Sequence, residues 1–107
     1  RSTVPSGYKL AIEGHVRASE VRVDQDTWPD YVFESDYELP SLQSVREFIA
    51  EYSHLPKMPS AEEAEQNGTD LAQMDRLLLQ KIEELTLYIL EQETRIENLE
   101  KQLQDEK

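Results

Sequence analysis

From Leu78 to Leu103 the chain reads LLQKIEELTLYILEQETRIENLEKQL, and this stretch decides the architecture. Ile82, Ile89, Ile96 and Leu103 recur every seven residues, and Leu78, Leu85, Gln92 and Leu99 recur in the same period, offset by three or four. These are the a and d positions of a heptad. A spacing of 3.5 keeps the stripe on one side only if helices supercoil around one another. A lone helix with so narrow a stripe is marginal in water. Each buried Ile or Leu is worth roughly 1.5–3 kcal/mol, so the apolar layers from Leu78 to Leu103 favour assembly. One heptad back, the same frame puts Asp75 at a and Leu71 at d.

Two features bear on strand number. Ile at a with Leu at d favours a parallel dimer. Against it stands Arg95-Ile96-Glu97-Asn98-Leu99-Glu100, with Arg95 at g, apolar residues at a and d, and Glu100 at the following e. It resembles the Arg-h-x-x-h-Glu motif of short trimeric coils, in which Arg packs over the core and pairs with a neighbouring chain's Glu. The expectation is a parallel homotrimer, with a dimer as runner-up. Gln92 is the one polar layer between Leu78 and Leu103, a candidate for fixing register.

Leu77, Leu79, Leu87, Tyr88 and Leu90 lie off the seam and would form an apolar girdle if bare. The economical cover is upstream. Ser41 opens a helical pattern with Leu42, Val45, Phe48, Ile49 and Tyr52 on one face, stopped before His54-Leu55-Pro56. Leu55-Pro56-Lys57-Met58-Pro59 is an extended loop, Ser60 and Glu63 spell a capping box, and Asn67-Gly68 ends that helix. Thr69 or Asp70 caps the last helix. Folded down, these pieces make a collar around its first half, with bare coil after Glu91.

Further upstream, Tyr8, Leu10 and Ile12 alternate with Lys9, Ala11 and Glu13; Gly14 interrupts, Val16 and Ala18 resume the alternation, and Val21 and Val23 continue it with one slip of phase. This predicts short strands that need an outside partner. Asp26-Thr27-Trp28-Pro29-Asp30-Tyr31-Val32-Phe33 follows as a compact aromatic plug. The expected fold class is α+β, mainly helical. Short N-terminal strands occupy 1–26, an aromatic segment and two short helices form a collar over 27–69, and a trimeric coiled-coil helix fills 70–107.

Composition narrows the chemistry. The chain has 107 residues, a net charge of −12 and no cysteine. Glu34 to Lys107 holds 7 basic against 18 acidic residues. Such a surface repels nucleic-acid and anionic lipid phosphates. No apolar run reaches the ~20 residues of a membrane span. His15 and His54 lack a second ligand at metal spacing, and His54 is expected to cap a helix C-terminus. Glu83, Glu84, Glu91 and Glu93 read as a solvated helix face. No phosphate loop and no nucleophile–base set is present, so no enzyme, metal or cofactor is expected.

Taken together, Pro5-Ser6-Gly7-Tyr8-Lys9-Leu10-Ala11, Trp28-Pro29-Asp30-Tyr31-Val32-Phe33, His54-Leu55-Pro56, Pro59-Ser60-Ala61-Glu62-Glu63 and Leu78-Leu79-Gln80-Lys81-Ile82-Glu83-Glu84-Leu85-Thr86-Leu87-Tyr88 resemble the C-terminal region of tail-fibre-domain-like proteins of Bacteroidetes and their phages. The resemblance spans almost the whole chain. It implies a trimeric module at a fibre end or cell surface, extracellular or on a virion, with any secretion signal upstream. Lys57 departs from the pattern, since such relatives usually carry glycine there. Two other functions stay open. One is a receptor- or glycan-binding tip using Trp28, Tyr31 and Tyr37. The other is a remnant intramolecular chaperone, although no serine–lysine pair maps onto self-cleavage.

Overall fold

The last helix is built first by its own sequence. Asp70 accepts the Gln73 N–H at 3.0 Å and caps α3, Leu71–Asp105, which contains neither proline nor glycine. Its 35 residues span about 52 Å at 1.5 Å per residue. In this computed structural model, which describes residues 4–25 and 27–106, everything else is small beside it. The molecule measures 77 × 30 × 28 Å, with a radius of gyration of 20.4 Å. A globular chain of this length would have about 13 Å, so α3 sets the shape.

Two short helices precede it. α1, Leu42–Tyr52, is capped by Ser41, whose side chain accepts the Ser44 N–H. It ends at Ser53 in the left-handed region (φ 61°), which sends its N–H to the Ile49 carbonyl at 2.8 Å. His54 therefore does not cap the helix. It packs edge-on against Phe48, centroids 5.3 Å apart, and its Nδ1 lies 2.9 Å from the Leu55 carbonyl oxygen. A carbonyl only accepts, so that nitrogen carries the proton. Between α1 and the next helix, Leu55-Pro56-Lys57-Met58 forms a turn closed by Met58 N–H to Leu55 O at 3.2 Å. Proline at the second position and a positive φ at the third (Lys57, 63°) are the pattern of a type II turn. α2, Ala61–Asn67, opens with the reciprocal Ser60–Glu63 capping box. Those bonds hold the Glu63 carboxyl below the usual range. Gly68 closes α2 at φ 70°, ψ −178°, a region open essentially to glycine alone.

The α+β expectation fails. Among the described residues there is no strand, and the protein is mainly helical. Tyr8, Leu10, Ile12, Val16 and Val21 are all exposed, in coil that crosses no neighbour. The first described segment closes one turn, Tyr8 N–H to Pro5 O at 3.1 Å. The physical reason is the missing edge. Alternation makes a strand only where another strand satisfies its backbone groups, and within a single chain water serves them instead. Asp26, placed at the head of the aromatic segment, lies outside the described residues.

The secondary-structure element that packs most closely on α3 is one turn of 3-10 helix, Tyr31–Phe33. Val32, 1% exposed, is the buried centre of that contact. α1 contributes no buried residue, and Leu42, Ile49 and Tyr52 on its apolar face stay exposed.

Candidate functional site

The helical wheel of α3 divides cleanly. Going around it, the order of heptad positions is a, e, b, f, c, g, d. Gln25 and segments 27–40 and 55–56 cover b, f, c and g in the helix's first half. Gln25 accepts from the Arg76 guanidinium at 3.0 Å on the b side, and Pro40 accepts from the Tyr88 hydroxyl at 2.6 Å on the g side. The a and d positions are left open over the whole length. Leu78, Ile82, Leu85, Ile89, Ile96, Leu99 and Leu103 are each 47–64% exposed. Gln92, Arg95 and Glu100 are exposed with them. The structure thus places every residue of the heptad seam on one continuous exposed face, bordered by the collar on its g side.

The covered face is held by polar side chains that the sequence pattern did not reveal. The Tyr31 hydroxyl donates to Gln80 Oε1 at 2.7 Å, and Gln80 Nε2 donates to the Tyr37 hydroxyl at 3.2 Å. Tyr37 donates in turn to Glu84 Oε2 at 2.6 Å, and Lys81 pairs with Glu84 Oε1 at 3.1 Å. This is a directed relay, amide to phenol to carboxylate, closed by a cation. Bonds to a charged acceptor are worth about 1.5–3 kcal/mol each. Burial, then the bond to Glu84, pushes the Tyr37 phenol up to about 12, so it stays a donor. Burial first, then the carboxylates of Glu84 and Glu91, raises Tyr88 as well.

The solvated-face reading of Glu83 and Glu84 is therefore corrected: they are 7% and 6% exposed. Glu84 is fully partnered. Glu83 is not, because its Oε1 is buried without a hydrogen-bond partner. Removal from water pushes its carboxyl above the usual range, and the Asp30 charge beside it adds to the shift. The covering shell is one chain thick, so this is a lidded surface position rather than a deep core. Tyrosines at 31 and 37 were the available signal, since a partly buried phenol needs a hydrogen-bond partner.

Of the three aromatic candidates for a ligand surface, Trp28 and Tyr31 are 53% and 44% exposed, and Tyr37 is half-buried. Tyr31 and Tyr37 sit with ring centroids 5.9 Å apart, and both hydroxyls are engaged in the relay. Among the described residues no group of three or more histidine, cysteine or carboxylate side chains could hold a metal, and no helix is long and apolar enough to cross a membrane.

No family model matches the chain, and neither curated proteins nor solved structures give a match.

Proposed function

We propose that this chain is a non-enzymatic self-association module that joins identical polypeptides through a parallel coiled coil on α3, as a homotrimer. One observation carries the reading: the full a/d seam lies bare while the chain's own collar covers the other side of the helix. Seven large apolar side chains in one line are a surface that soluble proteins cover with another chain. Arg95 at g and Glu100 at e, flanking Ile96 and Leu99, favour three strands over two. The placement at the C-terminal end of a fibre-like or cell-surface protein, outside the cell, rests on the sequence resemblance.

Multi-angle light scattering tests this directly. The expected mass is three times the 12.5 kDa chain. A dimer would mean that the Ile/Leu seam outweighs Arg95 and Glu100, and a monomer at every concentration would end the proposal.

A second reading has one observation in its favour. Trp28, the only tryptophan, keeps half its surface in solvent, as a receptor or glycan platform would need. Titration of tryptophan fluorescence with candidate glycans tests it, and an unchanged spectrum at saturating sugar counts against it.

A further inference from the structure

Beside the seam, the collar leaves a groove along the g and d flank of α3. Its upper part is a largely apolar cavity of about 80 Å³ between Lys81, Glu84, Leu85 and Tyr88 of the helix and Pro40, Val45, Leu55 and Pro56 of the collar. It runs on into a wider cleft of about 460 Å³, walled by Leu39 and Leu42 and floored by Tyr88, Gln92 and Arg95. Leu85 and Gln92 belong to the seam, so the groove opens onto it. An apolar cavity gives water few partners and gains by being filled with a side chain.

Coiled-coil geometry dictates what stands opposite. In a parallel pair, position g of one helix faces position e of its neighbour in the next heptad, five residues on. Lys81 then faces the partner's Thr86, Tyr88 faces the partner's Glu93, and Arg95 faces the partner's Glu100. The e edge grades along the helix from Leu79 and Thr86 to Glu93 and Glu100. The groove has apolar walls at Val45, Leu55 and Pro56, with Lys81 and Glu84 at their edge, and it ends at Glu91 and Arg95. The one ion pair among the described residues is Lys81–Glu84, so Arg95 closes no ion pair within its chain, although Glu91 lines the same cleft. A neighbour running the opposite way would instead face this flank with its own g edge, Lys81, Tyr88 and Arg95, and bring no carboxylate to Arg95.

We propose that this groove receives the e edge of a second copy's α3, so that each collar clasps two chains and selects the parallel orientation. The inference rests on the parallel self-association proposed above and holds for two strands or three.

The chain contains no cysteine, so engineered thiols report cleanly. Full-length Leu55→Cys and Thr86→Cys chains with tags of different mass are refolded together and treated with a short bifunctional thiol cross-linker. Leu103→Cys, oxidised alone, reports the seam. The expected result is a Leu103 disulfide together with Leu55–Thr86 hetero-links. The hetero-links should be at least tenfold more abundant than with Glu51→Cys, on the opposite face of α1, in place of Leu55→Cys. Seam links without Leu55–Thr86 links overturn the groove and leave the coil standing. Absence of both removes the coil itself, and hetero-links without seam links place the neighbour elsewhere and also overturn the proposal. Carbene footprinting of the unmodified chain guards against misfolded variants. Labelling of Val45 and Leu55 should fall at least twofold between dilute and assembling concentrations, and equal labelling overturns the proposal.

Discussion

Replacing Ile89 with aspartate separates folding of the chain from its assembly. Ile89 is 64% exposed and touches the collar at no point, so within one chain Ile89→Asp should change stability by no more than about 0.5 kcal/mol. In an assembly the same side chain fills an a layer. There each copy forfeits roughly 1.5–3 kcal/mol of burial and brings a carboxylate to the axis. Three copies share the layer in a trimer, so the transfer loss alone is about 5–9 kcal/mol per particle. At 1.4 kcal/mol per decade, that weakens association by at least about a thousandfold. Sedimentation equilibrium should show the wild type assembled and the variant monomeric at the same micromolar concentration. Tyrosine near-ultraviolet dichroism should still report the docked relay of Tyr31 and Tyr37. A variant that keeps its oligomeric mass would show that α3 does not associate through this seam. A variant whose relay signal vanishes with the mass would show that the collar depends on assembly for its own fold.

Three further changes probe separate elements. Gln92→Leu should raise the melting temperature, since a buried amide layer costs roughly 1–3 kcal/mol when poorly paired, and should loosen register as read by disulfides between matched cysteines. Glu83 carries a raised pKa in the folded state, so the stability it permits is full below the ordinary glutamate range and is lost as pH rises through its folded value. Denaturant midpoints should therefore rise on acidification toward the ordinary glutamate range, and Glu83→Gln should flatten that slope. Lys57→Gly relieves a left-handed residue at a position where backbone freedom costs less than strain. A gain of about 0.5–1 kcal/mol in urea unfolding is expected, and a loss would mean the lysine side chain contributes a contact.

The helices were legible because their signals are local. Ser41, Ser60 with Glu63, and Asp70 each announce a helix start within four residues, and the heptad from Leu78 to Leu103 repeats often enough to fix its face. What failed was what depends on distant partners. Tyr8 to Val23 has the period of a strand, but period alone supplies no edge to pair with. Glu83 and Glu84 look like any solvated carboxylates until Asp30, Tyr31 and Tyr37 are folded over them. Their covering is set by contacts some fifty residues apart in sequence, as in the Tyr31–Gln80 and Tyr37–Glu84 bonds. The bare seam was readable as a pattern, whereas the groove beside it needed the collar's path across α3.

A rod-shaped particle drags more solvent than a sphere of equal mass. With a 77 Å long axis against about 30 Å across, even one copy should elute from a sizing column ahead of globular standards of 12.5 kDa. Column calibration would thus report a larger species where none exists. A parallel bundle that thickens the rod without lengthening it moves the other way, closer to globular behaviour. Elution volume should therefore change less on association than the mass does, and frictional ratio should fall as chains join.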